Sequence, residues 1–277
     1  MAGKLYVCPT PIGNLDDITY RTIKVLNSVD IIAAEDTRHS IKLLNHLEIS
    51  KPLTSYHEHN KYEKGENIIQ ILESGKDVAI ITDAGMPGIS DPGEELIHSC
   101  IENNIDVEVL PGASAFVVAL VGSGLSTRRF HFEGFLDRDK KKKKKRLSEI
   151  SDIDVSMIIY ESPHRLKETL KLMLEEFGNR KISICRELTK KYEEYIRTDL
   201  ESIIDYYDKN QPKGEYILII EGSKEEKKVE NDYSSLTERE YVIELINSGM
   251  TKKDAIKTVS KERKLKKDIV YKQVMDL

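Results

Sequence analysis

Residues 82–93 read Thr-Asp-Ala-Gly-Met-Pro-Gly-Ile-Ser-Asp-Pro-Gly and directly follow the apolar run Val-Ala-Ile-Ile at 78–81. Three glycines, two prolines and two aspartates in twelve residues exceed what a strand-to-helix turn needs. Glycine lets backbone approach a ligand, and proline fixes the shape of the loop that does so. The helix expected next carries Leu96, Ile97, Cys100 and Ile101 on one side. In an alternating α/β chain, the carboxyl end of a strand is where ligands sit. The stretch therefore reads as a ligand loop, with an elaborate turn as the plainer alternative.

The rest of the chain fits that frame. Short apolar runs at 4–8, 30–34, near Leu53, at 78–81 and at 107–110 alternate with helical periodicity, which implies a mostly parallel sheet with right-handed crossovers. Asp17 or Thr19 suits the cap of the first helix, and Asn60 that of the helix running to about residue 74. Residues 122–127, Gly-Ser-Gly-Leu-Ser-Thr, read as a boundary. A second set of strands follows near 130–134, 155–160, 181–185, 195–200 and 214–220. We expect domains at 1–121 and 127–222, a charged linker at 223–231, and a tail at 232–277. Three helical pieces in that tail, near 238–246, 254–261 and 268–275, suggest a small bundle of helix-turn-helix type.

Composition excludes several classes. No segment approaches the roughly 20 apolar residues of a membrane span. The N-terminus runs straight into a strand without signal-peptide character, so a cytoplasmic protein is expected. Cys8, Cys100 and Cys185 lie far apart, suit a reducing compartment and offer no zinc spacing. His57 and His59 lack a third ligand, so no metal is expected. No Walker motif and no Gly-x-Gly-x-x-Gly after the first strand argue against a phosphate cradle. The net charge is −5, yet Lys140, Lys141, Lys142, Lys143, Lys144 and Lys145 run into Arg146, and residues 250–277 hold nine Lys/Arg against four Asp/Glu. Basic blocks on an acidic chain point to a local polyanion contact. Lysine enrichment without function is the alternative.

The loops at strand ends carry the chemistry: 9–15, 35–38, 82–93, 111–115, 161–165 and 186–190. The first four converge on one rim of a parallel sheet, and a second sheet facing that rim makes an interdomain cleft, a common ligand site. Charge there comes from Glu35, Asp36, Arg38, Arg165, Glu187 and Lys190. Arg38 and Glu35 pairing only with each other is the structural alternative.

Nine ordered motifs carry a resemblance. They are Leu-Tyr-Val-x-Pro-Thr-Pro-Ile-Gly-Asn-Leu, Ala-Ala-Glu-Asp-Thr-Arg, Ser-Tyr-His-Glu-His-Asn, Asp-Ala-Gly-x-Pro-Gly-Ile-Ser-Asp-Pro-Gly, Pro-Gly-x-Ser-Ala, Phe-Glu-Gly-Phe-Leu, Tyr-Glu-Ser-Pro-His-Arg, Arg-Glu-Leu-Thr-Lys and Lys-Gly-Glu. In this order, from about Leu5 to Gly222, the chain resembles the tetrapyrrole methylase superfamily, in its branch that acts on 16S rRNA of the small ribosomal subunit. Met86 stands where threonine is commoner, and Ala113 where proline is common.

The resemblance implies a two-domain α/β fold of the tetrapyrrole-methylase (class III methyltransferase) type with a small C-terminal helical domain. It also implies S-adenosylmethionine as donor, 2′-O-methylation of a cytidine ribose, and a homodimer. Carried onto this chain, donor contacts fall at Ile12, Ala84, Gly85, Met86, Ile89, Ser114, Ala115, Glu161 and Leu188. A base must take the hydroxyl proton. Glu35, Asp36, Asp83, Asp91 and Glu187 are candidates, with the pair Glu35–Asp36 preferred and Arg38 beside it. RNA contacts are expected from the lysine run with Arg146, from the basic tail, and from Arg38, His57, His164, Arg165 and Lys190. Two other readings stay open: a methylase acting on a small molecule or protein, and an assembly factor without catalysis.

Overall fold

A computed structural model describes residues 2–224, 233 and 236–275. The chain divides into two compact units, residues 1–225 and 226–277. Most of the expected linker lies outside the described residues.

The first sheet is formed by β1 (Leu5–Val7), β2 (Ile31–Ala34), β3 (Leu53–Ser55), β4 (Val78–Ile81) and β5 (Val107–Val109). Their order is β3-β2-β4-β1-β5, parallel throughout. Helices α1 (Tyr20–Ser28), α2 (Thr37–His46), α3 (Lys61–Glu73) and α4 (Gly93–Glu102) connect them. Strands β4 and β1 are fully buried apart from Tyr6, as expected when helices cover both faces of a parallel sheet. One face packs Leu5, Val7, Val78 and Ile80 against Ile68, Leu72 and Leu96. The other packs Ile32, Ala79 and Ile81 against Leu26 and Leu44. Local signals fix the helix starts. Thr19 caps α1 by accepting from the Thr22 N–H, and Asp36 caps α2 by accepting from the Arg38 N–H. Asn60 does not cap α3 through its side chain. Its Oδ1 accepts from the His57 N–H and its amide donates to Ser55.

The second sheet contains β6 (Phe130–Phe135), β7 (Ser156–Glu161), β8 (Lys181–Arg186), β9 (Glu194–Asp199) and β10 (Tyr216–Ile220), in the order β6-β7-β10-β8-β9. It is mixed: β6 and β7 are parallel, whereas β10 runs antiparallel to both β7 and β8, and β9 antiparallel to β8. Helices α6 (Lys140–Ile150), α7 (Leu166–Phe177) and α8 (Leu200–Lys209) cover one face. The other face is covered by α5 (Ala115–Ser123), whose Ala119 and Leu120 join Ile158, Cys185, Ile217 and Ile219 in one core. Helix α5 thus packs on the second sheet, although sequence order groups it with the first. It ends at Gly124, whose φ of +77° is the left-handed conformation a helix stop of this kind needs.

Strand direction places the site. The carboxyl ends of β7 and β8 lie at one edge, where Tyr216 pairs with both Glu161 and Arg186. Because β10 is antiparallel, its amino end, with Glu215 just before it, joins the same edge. Ile12 and Leu188 share the core under α5, which brings the first-sheet loops 9–15 and 111–115 to that edge.

The smaller unit holds α9 (Glu238–Asn247), α10 (Lys252–Glu262) and α11 (Lys267–Gln273), packed around Val242, Ala255, Val259 and Val270. Helix α9 starts with a reciprocal capping box between Thr237 and Glu240. Among the described residues no helix is long and apolar enough to cross a membrane.

Candidate active site

Two neighbouring pockets occupy the edge where the sheets meet. The first, about 440 Å³, is bounded by the loop after β4, the start of α5, and the ends of β7 and β10. Its floor is backbone. Gly85 exchanges both main-chain hydrogen bonds with Thr10 at 3.0 Å, at a φ of +84°. The loop beyond is held from within by Asp91, whose carboxylate accepts from the N–H groups of Gly88, Ile89 and Gly93. Asp91 is therefore a brace of the loop, and its lone pairs are committed there rather than to a substrate proton.

Eight of the nine positions expected to touch the donor line this pocket: Ile12, Ala84, Gly85, Met86, Ile89, Ser114, Ala115 and Glu161. Leu188 does not. It is buried in the core beside Ile12 and supports the pocket from below. Sequence reasoning missed Tyr160 and Phe135, an edge-on aromatic pair at 5.2 Å in the wall, and Glu215 on the rim. All three stand inside the nine motifs, the glutamate as the last residue of Lys-Gly-Glu, so their signal was present. The charged side chains at this pocket are Glu161 and Glu215, both acidic.

Glu161 is tied down behind the wall. Its Oε1 accepts from the Ser162 N–H at 2.8 Å and lies 3.3 Å from Arg165 Nε, while the Thr169 hydroxyl donates to Oε2 at 2.6 Å. Arg165, expected on RNA, instead donates to the carbonyls of Leu136 and Asp137. It is a strut of this wall.

The second pocket, about 400 Å³, lies between the first loop, helix α2 and the end of β4. Ile12, Ala84 and Glu215 line both pockets, so the two cavities share a mouth. Asp83, Lys190, Lys42 and Glu215 supply its charge, with the His39 imidazole among them. Asp83 Oδ1 accepts from the Asp36 N–H at 3.2 Å and lies 3.7 Å from His39 Nδ1. No metal-binding group of three or more His, Cys, Asp or Glu occurs among the described residues.

The expected pair Glu35–Asp36 is split by its surroundings. Asp36 caps α2 and also binds Arg38, Nη2 to Oδ2 at 2.7 Å and Nε to Oδ1 at 3.1 Å. That guanidinium and the backbone N–H groups hold its carboxyl well below the usual range, so Asp36 is a poor base. Arg38 thus pairs with Asp36, not with Glu35. Glu35 is half-buried and lines neither pocket. Burial, followed by the charge of Asp83, pushes its carboxyl above the ordinary value. The folded chain therefore holds that proton more tightly than the unfolded chain does. The stability contribution of Glu35 falls as pH rises past about 4.3. Replacing Glu35 by Gln is expected to raise the melting temperature at pH 7, with the gain closing near pH 4. A gap that stays constant across this range overturns the assignment.

Glu187 is likewise outside both pockets. Its Oε1 accepts from the Glu215 N–H at 3.0 Å and from Lys190 Nζ at 3.1 Å. It braces the loop after β8.

The lysine run forms the first turns of α6, and its members differ. Lys143 is fully buried, with Nζ donating to Thr169 Oγ1 at 3.0 Å and lying 3.3 Å from Glu168. It cannot touch RNA, because α7 covers it. Lys140, Lys142, Lys144 and Lys145 are exposed but lie within 4 Å of Glu168, Asp137, Glu175 and Glu149 respectively. Arg146 is held by Glu133 at 2.7 and 2.9 Å. Lys141 is exposed with no carboxylate partner among the described residues. His164 is exposed, and His57 stands 6.0 Å from His59, edge to face.

Comparison with known proteins gives the family. Residues 4–204 match the family model of tetrapyrrole (corrin/porphyrin) methylases. A protein of Bacillus subtilis (strain 168) named ribosomal RNA small subunit methyltransferase I is 48% identical over 271 residues, covering 97% of this chain and 93% of that protein. A Synechocystis protein of the same name is 41% identical over 276 residues, covering 99% and 98%. A solved diphthine synthase superposes with a TM-score of 0.61 at 12% identity, over 79% of this chain and 90% of that one, a likeness of fold. The chain belongs to the tetrapyrrole methylase family, alongside members named ribosomal RNA small subunit methyltransferase I, and is a methyltransferase.

Proposed function

We propose that the protein transfers a methyl group from S-adenosylmethionine to the ribose 2′-hydroxyl of a cytidine in small-subunit ribosomal RNA, in the cytoplasm. The names of its relatives support the RNA. The observation that carries the donor is the lining of the 440 Å³ pocket: backbone, apolar and aromatic surface, with two glutamates and no lysine, arginine or histidine. Such a wall offers no cation to meet a phosphate-bearing cofactor and none to repel a cationic sulfonium. When bound, the donor supplies an activated methyl carbon. The chain supplies the rest. Ile12 and Ala84 stand between the pockets and set the line along which the two reactants meet. The 2′-oxygen forms its bond to the methyl carbon as the carbon–sulfur bond breaks, leaving a neutral thioether. Asp83, on the wall of the second pocket, takes the hydroxyl proton.

Methyl incorporation into small-subunit particles lacking the modification tests the reaction, with the site read as resistance of the modified ribose to alkaline cleavage. No incorporation overturns the substrate. Replacing Asp83 by Asn is expected to lower kcat roughly 100-fold with donor affinity retained, and an unchanged kcat removes Asp83 from the role.

We also propose a homodimer. Helix α5 is apolar on all sides, yet Val117 and Val121 are exposed on it. Sedimentation equilibrium reads the state directly.

A further inference from the structure

Lys190 reaches from the second half of the fold into a pocket built largely by the first. Its stem crosses Gly13 so closely that a Cβ there would stand 2.5 Å from Lys190 Cγ. The loop that carries it is strained. Glu187 and Thr189 have φ values of +51° and +63°, which residues other than glycine rarely adopt, least of all a β-branched one. Thr189 is held there by the Asn14 N–H, which donates to its Oγ1 at 3.1 Å. Strain of this kind persists where the surroundings over-determine it, and it concentrates at functional sites.

The partners of Lys190 are unequal. Nζ donates to Glu187 Oε1 at 3.1 Å and to Glu215 Oε2 at 2.7 Å. Glu187 is mostly buried and fixed by the Glu215 N–H, so it cannot follow or leave. The side chain of Glu215 is 80% exposed. An exposed pair of this kind is weak and exchanges with competing anions. Glu215 also lines both pockets. It therefore stands where an anionic acceptor and a cationic donor come together.

We propose that Lys190 and Glu215 form an exchangeable latch at the shared mouth: an RNA phosphate takes the Lys190 ammonium, and the released Glu215 carboxylate then attracts the sulfonium charge of the donor. This rests on the reading of the site as an RNA methyltransferase. Its consequence is that acceptor binding sharpens the preference for the charged donor over the neutral thioether product. Lys190 and Glu215 act here as positioning residues, since neither exchanges a bond with the methyl group.

The test measures affinities for S-adenosylmethionine and S-adenosylhomocysteine by calorimetry, with and without a fragment of small-subunit rRNA. In the unaltered protein, RNA is expected to raise the preference for S-adenosylmethionine about fivefold. Lys190→Met should show that raised preference without RNA. Glu215→Gln should show one preference in both conditions. A general loss of structure moves both ligands together and leaves their ratio unchanged. An RNA that is methylated without shifting the ratio overturns the latch. If the RNA is not methylated, the substrate reading fails, and the RNA-free comparison still decides. A ratio in Lys190→Met equal to that of the unaltered protein overturns the latch there too.

Discussion

Replacing Gly85 by Val is expected to abolish donor binding, lowering affinity by two orders of magnitude or more while the chain still folds. The glycine sits at a φ of +84°, where an L-residue costs roughly 1–2 kcal/mol. Both of its main-chain hydrogen bonds run to Thr10, so the backbone cannot rotate away without losing them. An added Cβ meets Ile12 Cγ2 at 3.2 Å and the Ala113 carbonyl at 3.6 Å. Ile12 lines both pockets, and valine's branches drive it into the shared mouth. Strain of that size in a unit of this length shifts the melting temperature by roughly 2–8 °C. The expected signature is thus a modest thermal loss with a collapse of affinity. Gly85→Ala should fall between. Full affinity in the valine variant shows that the floor lies elsewhere.

Truncating Lys143 to Ala is expected to destabilise the fold by roughly 2–4 kcal/mol, the largest effect within the lysine run. The whole side chain lies under α7, and its removal leaves a cavity beside Thr169. That hydroxyl donates its hydrogen bond to Glu161, so the loss reaches the wall of the 440 Å³ pocket. Lys143→Met keeps the volume and should cost less, because the abandoned carboxylate of Glu168 is open to water. Lys141→Ala, on the exposed face, should stay within about 0.5 kcal/mol. Chemical denaturation of the three variants reads the order directly. An alanine variant as stable as the parent shows that the burial contributes nothing.

The lysines also show where sequence stops being legible. Six identical letters hide the phase of a helix, yet Lys143, Leu147 and Ile150 are spaced i, i+4, i+7 and are the residues that α6 buries. Two apolar residues downstream set the helical phase that buries the fourth lysine, although the run itself was read as uniformly exposed. The loop 82–93 was legible as a special turn because glycine and proline mark unusual backbone wherever they fall, and eight of the positions that the resemblance implies assemble in one pocket. Glu215 stands in the motif Lys-Gly-Glu at 213–215, but its place at the site was not legible in that way. Its place follows from β10 running antiparallel to its neighbours, and strand direction leaves no local trace in an apolar run such as Tyr216–Ile220. The choice among Glu35, Asp36 and Asp83 was hidden for a similar reason. All three follow strands, and only helix α2 and its cap reveal that Asp36 is already spent.

The packing of α5 fixes how this molecule can flex. Because that helix packs on the second sheet, residues 122–127 join two parts of one packed layer rather than the two sheets. Any opening of one sheet against the other must bend the connection ahead of α5, at residues 110–114. Gly112 there lies so close to Pro9 that a Cβ would stand 2.7 Å from it, and Ser114 lines the 440 Å³ pocket. The axis of such an opening therefore runs through the wall of the pocket proposed to hold the methyl donor. On the proposed function, release of the spent thioether and loosening of the cleft become one movement.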